Sequence, residues 1–257
     1  MIRHVTRLTA NIFRAIWKLW GLAVVYIPVI MLSPLLMILI ASGRLKAFWK
    51  IERLWARWIL AALGFKPVKS RESASFDKHR QYIVVANHTS MVDIPFLLAV
   101  LPFPLTFVGK KELEKYPVFG YFYRKTNVLV DRASLASRKK VYDEVEDFIR
   151  KGFSIAIFAE GGVPDPSVLL APFKNGAFRI AVEHGLPLLP VVLYDNKKRL
   201  PYALWKGSPG KMRYKILPPV ETKGLTQDDT EDLKNYVYTL IYNALAADSL
   251  KNLAAKI

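Results

Sequence analysis

The stretch Tyr82-Ile83-Val84-Val85-Ala86-Asn87-His88-Thr89-Ser90-Met91-Val92-Asp93-Ile94-Pro95 decides the fold class. Its first five residues are largely apolar and read as a short strand buried on both faces, and the polar loop after them runs into an apolar helix. Comparable runs recur at Leu105 to Val108, Asn127 to Val130, Ile155 to Ala159 and Leu188 to Leu193, while Met212 to Leu217 reads as an edge strand of mixed polarity. Helical periodicity fills the intervals. Ala133 to Lys151 stops at Gly152, Phe173 to His184 stops at Gly185, and a last helix runs from Asp229 to beyond Leu245. Leu233, Val237, Leu240, Ala244, Tyr236 and Ile241 give that helix its apolar face. The expected fold is α/β: a mixed, mostly parallel sheet flanked by helices, with function in the loops at strand ends.

Before Gly64 the pattern differs, which divides the chain into residues 1–64 and a globular domain over 65–257. Leu19 to Ser42 holds 24 residues without a formal charge. As a helix it would reach ~36 Å, enough to cross a ~30 Å hydrocarbon core. Pro28 and Pro34 would kink it, so a span and a re-entrant element both remain open. In Leu45 to Leu63 the cations Lys46, Lys50, Arg53 and Arg57 fall at spacings of four, three and four, one stripe of a helix. Holding four cations at mid-bilayer would cost roughly 10 kcal/mol, so this amphipathic helix is expected to lie on the membrane. The alternative is a helical pair packed on the globular domain, with the stripe merely solvated.

Charge and tryptophan distribution favour the membrane reading. The 257 residues carry 38 Lys+Arg against 21 Asp+Glu, a formal charge of +17, and residues 1–64 hold nine of the cations with a single Glu. They also hold Trp17, Trp20, Trp49, Trp55 and Trp58, five of the six tryptophans. Indoles and cations flanking an apolar segment suit a headgroup layer. No zinc-finger, RNP or basic-zipper pattern is present, so nucleic acid is set aside as a partner. With no cysteine there is no thiolate nucleophile or thiolate metal site, and His4, His79, His88 and His184 lack metal-ligand spacing. Neither a metal nor a cofactor is expected.

The junction Asn87 to Asp93 carries the chemistry. On a regular helix, residues five apart sit about 140° apart, but on a loop turning into a helix His88 and Asp93 can meet. Asp93 can then accept the imidazole Nδ1 proton, leaving Nε2 to take a proton from a hydroxyl. The other reading is structural: Asp93 as a helix N-cap with Pro95 in the first turn, and His88 as a satisfied buried histidine.

Asn87-His88-Thr89-Ser90-Met91-Val92-Asp93 resembles the first signature block, N-H-x-x-x-x-D, of the glycerolipid acyltransferases, in particular the 1-acylglycerol-3-phosphate O-acyltransferase family. Further blocks follow in the family's order. Lys110-Lys111-Glu112-Leu113 with Pro117, Gly120 and Val130-Asp131-Arg132 is similar to the second, and Phe158-Ala159-Glu160-Gly161 to the start of the third. Pro172-Phe173-Lys174-Asn175-Gly176-Ala177-Phe178 and Leu186-Pro187-Leu188-Leu189-Pro190-Val191 resemble the stretch after it and the fourth. The resemblance covers about Tyr82 to Leu193. It implies acyl transfer from acyl-CoA or acyl carrier protein to the sn-2 hydroxyl of lysophosphatidate, at the cytoplasmic face of a membrane, the inner membrane if bacterial. It further implies His88 as general base, Asp93 as its orienting partner, Lys110, Arg132 and Lys174 as phosphate-binding cations, and Glu160 and Gly161 in acceptor binding. The third block departs from its usual F-P-E-G-T-R: Ala159 replaces Pro, and Gly162 and Val163 stand for Thr and Arg. Valine cannot supply a planar bidentate donor, which leaves Arg179 or the run Lys197-Lys198-Arg199 to bring the charge, or an acceptor without that phosphate, such as a lyso-aminolipid. A noncatalytic lipid-binding protein of the same fold is the remaining alternative.

Overall fold

The computed structural model describes residues 2–116, 119–130, 135–202 and 206–254, except for the side chains of 2–8, 10, 135–139 and 252. In chain order the elements are α1 (Ile2–Ala41), α2 (Leu45–Ala62), β1 (Phe65–Lys69), β2 (Ile83–Ala86), α3 (Asp93–Val100), β3 (Leu105–Lys110), α4 (Phe119–Thr126), β4 (Val128–Val130), α5 (Leu135–Arg150), β5 (Ser154–Ile157), α6 (Gly176–Glu183), β6 (Leu188–Leu193), α7 (Asn196–Arg199), β7 (Gly210–Ile216) and α8 (Thr230–Ala254). The chain divides into two compact units. One contains Met1–Val68, Thr89–Leu101 and Asp195–Arg213, and the other Lys69–His88, Pro102–Tyr194 and Tyr214–Ile257.

The strands form one seven-stranded sheet in the order β1-β7-β6-β2-β5-β3-β4. β2 lies at its centre, parallel to both β5 and β6, with Val84 opposite Ala156 on one side and Leu189 on the other. β3 continues the parallel set between β5 and β4, and β7 runs antiparallel to β6. Ile83, Val84 and Val85 are fully buried, as an apolar strand covered on both faces must be. α8 seats Leu233, Val237, Ile241 and Leu245 inward, whereas Tyr236, expected on that face, points outward.

One expectation about the sheet is corrected. β7 is not its edge, because β1 lies outside it. β1 reads Phe-Lys-Pro-Val-Lys and buries only Phe65, and its proline and lysines suit an edge that must not recruit another strand. That polarity hides it from a search for apolar runs. α4 was also not foreseen. Gly120 lets it approach the preceding turn, since a Cβ there would collide with the Glu114 carbonyl oxygen.

In the first unit α1 continues through Pro28 and Pro34, and Asn11–Ala41 is long and apolar enough to cross a membrane. Three of the tryptophans expected at a headgroup layer donate hydrogen bonds between α1 and the α2 region. Trp17 Nε1 donates to the Leu63 carbonyl (3.3 Å) and Trp20 Nε1 to that of Ala62 (3.0 Å), satisfying acceptors that the end of α2 leaves unpaired. Trp55 Nε1 donates back to the Val25 carbonyl (3.2 Å). The basic stripe of α2 is likewise divided. Lys46 and Lys50 are exposed, Arg53 stands over the Trp49 ring at 5.5 Å, and Arg57 Nε donates to the Ala99 carbonyl of α3 at 3.4 Å.

Glu52 lies on the packed side of α2, three and four residues from the buried Trp49 and Ala56. Burial pushes its carboxyl from the ordinary 4.5 up to about 8. Between those pH values the folded chain therefore binds a proton that the unfolded chain lacks, and stability falls as pH rises across the window. Glu52→Gln removes this term. Its melting temperature in detergent should match the parent at pH 4.5 and exceed it at pH 8.5; identical pH dependence in both proteins would show that the carboxyl is already charged in the fold.

Candidate active site

Parallel pairing brings the C-terminal ends of β2, β5 and β3 to one edge of the sheet, where the polar residues of the motifs emerge. Asn87 extends β2 by side-chain means. Its Oδ1 accepts from the Leu193 N–H (2.8 Å) and its Nδ2 donates to the Leu193 carbonyl (3.0 Å), so a buried amide imitates one more rung of the ladder toward β6. The motif shows Asn87, but nothing in its spacing states this role.

His88 follows directly. Its imidazole stacks on Phe158 with centroids 4.1 Å apart and planes 16° apart, which fixes the ring plane and leaves both nitrogens on edges that Phe158 does not cover. Phe158 continues into a stack on Phe107 at 6.3 Å. The His88 N–H donates to Glu160 Oε1 (2.6 Å), and Glu160 Oε2 accepts from the Ala171 N–H (2.8 Å). Glu160, expected on the acceptor, thus uses its two oxygens in this structure to tie the loop after β2 to the loop after β5. Gly161 turns the chain after it with φ at +80°, a left-handed conformation that disfavours any side chain. Lys174 N–H donates to the Ala159 carbonyl at 2.7 Å, which places an exposed ammonium-bearing residue beside the third block. Lys110 is exposed at the end of β3, opposite Val130 of β4. Arg132 and Asp131, two residues and one residue beyond Val130, lie outside the described residues.

Asp93 belongs to the other unit, joined to His88 by four intervening residues. It is fully buried and opens α3. Its Oδ2 accepts from the N–H groups of Thr89 (2.6 Å) and Ser90 (2.8 Å), and its Oδ1 from Asn196 Nδ2 (2.7 Å). The carboxylate therefore reaches back over its own turn rather than capping the helix ahead of it. Ser90 Oγ donates to the Leu200 carbonyl and accepts from the Val92 N–H, bracing the same turn. Of the residues considered as substitutes for the missing third-block arginine, Arg199 is already engaged: its guanidinium holds the Lys211 and Pro209 carbonyls and Ser208 Oγ. Asp195 is clamped by Arg213, which donates to it from its backbone N, Nε and Nη2, each at 2.8 Å. Burial alone would raise the Asp195 carboxyl, but Arg213 holds it below the ordinary carboxylate range.

Residues 67–194 match the acyltransferase family. Over 199 residues the chain is 31% identical to the 1-acyl-sn-glycerol-3-phosphate acyltransferase of Haemophilus influenzae, an alignment covering 74% of this chain and 80% of that protein. The chain belongs to the 1-acyl-sn-glycerol-3-phosphate acyltransferase family. The similarity extends to the mouse 1-acyl-sn-glycerol-3-phosphate acyltransferase alpha, 30% identical over 71% of this chain and 66% of that protein. The crystal structure of the 1-acyl-sn-glycerophosphate acyltransferase PlsC from Thermotoga maritima superposes with a TM-score of 0.74 at 25% identity, covering 95% of this chain and 98% of that one. The likeness to that structure therefore reaches beyond residues 67–194 into the N-terminal helices.

Glu160 holds the backbone N–H of His88. Glu160→Gln turns one acceptor into a donor facing an N–H, so kcat should fall roughly 10-fold or more, the size of a charge-assisted hydrogen bond, with the acceptor KM little changed. A raised KM with normal kcat would instead make Glu160 a direct ligand of the acceptor.

Proposed function

We propose that this chain transfers a fatty acyl group from acyl-CoA or acyl carrier protein to the sn-2 hydroxyl of 1-acylglycerol-3-phosphate, making phosphatidate. The observation that carries the reading is His88 at the end of the central parallel strand, its ring plane set by Phe158 and its backbone held by Glu160, within the N-H-x-x-x-x-D pattern. His88 Nε2 takes the proton of the acceptor hydroxyl as its oxygen attacks the thioester carbonyl carbon. The new C–O bond forms, the C–S bond breaks, and the departing sulfur takes the proton back from the imidazolium. Asp93 orients the imidazole and stabilises its cationic state. Transfer is direct, in keeping with a chain that has no cysteine to hold the acyl group. Lys110, Arg132 and Lys174 neutralise the acceptor phosphate.

The reaction takes place at the cytoplasmic face of a membrane. Exposed Phe13, Ile16, Leu19 and Ile38 on α1 enter the lipid, while Lys50, Leu54 and Trp58 on α2 face the interface. Lysolipid then arrives from the bilayer and the thioester from water. A second reading is favoured by Val163 in place of the third-block arginine together with the engaged guanidinium of Arg199: the acceptor is a lysolipid without that phosphate.

One assay tests both. Purified full chain in detergent is offered lysophosphatidate, lysophosphatidylcholine and a lyso-aminolipid, each with acyl-CoA and with acyl carrier protein, and products are identified by mass. Phosphatidate should form, and His88→Ala should lower its rate by ~10²–10⁴ with the fold retained. Product from another acceptor alone, equally dependent on His88, would keep the chemistry and replace the substrate. Undiminished turnover by His88→Ala would end the base mechanism, and no product in any pairing would favour a noncatalytic lipid-binding role.

A further inference from the structure

Asn196 is fully buried at the start of α7, more than a hundred residues from Asp93 in sequence. Its Nδ2 donates to Asp93 Oδ1 at 2.7 Å, the oxygen that the turn amides of Thr89 and Ser90 leave unused. Among the described residues its own Oδ1 accepts no hydrogen bond. A buried amide chosen only for packing would be costly with its carbonyl unsatisfied, and a leucine of similar volume would fill the space without that cost. The amide is therefore accounted for by its donor, and the donor is aimed at one atom of one carboxylate.

The backbone that presents Asn196 is rigidly held. Its neighbour Asp195 accepts three hydrogen bonds from Arg213, and the Asp195 carbonyl accepts from the N–H groups of Lys198 and Arg199. Ser90 Oγ reaches the Leu200 carbonyl from the turn itself, so α7 with the residue after it is joined twice to the stretch from Ser90 to Asp93. We infer that Asn196 is a positioning residue for acyl transfer, acting through Asp93: its N–H fixes the rotamer of the carboxylate so that the turn and the orienting function are served by one side chain in one pose. The inference deepens the proposed base mechanism and rests on it.

The test is a double-mutant cycle on the purified full chain, with kcat, both KM values and melting temperature measured for each variant. Asn196→Ala should lower kcat roughly 10 to 100-fold, the size of one hydrogen bond to a charged group, while the KM values for acceptor and thioester stay within about twofold. In an Asp93→Ala background the same change should add little, because the group it acts through is gone. Asn196→Asp keeps the volume and replaces the donor by an acceptor, so it should lose at least as much kcat as Asn196→Ala and serves if the alanine variant does not fold. Near-normal kcat in Asn196→Asp, or equal losses with and without Asp93, would overturn the positioning role while leaving the base mechanism intact. Full activity in Asp93→Ala itself would overturn both.

Discussion

Everything distinctive about this chain depends on how the six residues from His88 to Asp93 are held. A strand buried on both faces must deliver its last residue to a helix start within a few residues, and no glycine relieves the turn. Three consecutive backbone N–H groups, of His88, Thr89 and Ser90, point away from any regular ladder. Glu160 takes the first, and Asp93 takes the second and third. Each carboxylate accepts charge-assisted hydrogen bonds that stabilise the turn by about 1.5–3 kcal/mol apiece. The same two acids fall in the stretches that resemble the acyltransferase blocks.

The N-terminal helices show a related economy. Three of the five tryptophans in residues 1–64 donate across the α1 and α2 pair, two of them to carbonyls at the end of α2. Arg53 and Arg57 are drawn toward Trp49 and α3, while Lys50, Leu54 and Trp58 are left facing outward. One helix thus supplies a packed face, a basic edge and an exposed apolar face. Of the four cations in the stripe, Lys46, Lys50 and Arg57 remain exposed and Arg53 is half-buried.

The central strands were legible because Ile83-Val84-Val85 and Leu188-Leu189 are apolar on both faces, a pattern with few other outcomes at that length. β1 was hidden because edge strands avoid that pattern, and the short α7 because four residues carry no period. At the site, motif order pointed to His88, Asp93 and Glu160, yet the roles of their partners were not visible. Asn87 as a mimic of strand backbone, Phe158 as the platform under His88 and Asn196 on Asp93 all depend on tertiary neighbours 70 or more residues away. The polar pair Asp195-Asn196, separated by one residue from a fully buried strand, was the signal available, since polar residues at that edge of a parallel sheet are placed for a purpose.

The most direct test of the account is amide hydrogen exchange at Thr89 and Ser90 in the full chain, resolved to single residues by fragmentation mass spectrometry. A turn locked by Asp93 predicts exchange at least ~100-fold slower than an unstructured chain at both positions, although neither lies in a helix or strand. Exchange at the rate of an unprotected loop would contradict it, because the carboxylate would then not be holding the residues that present His88.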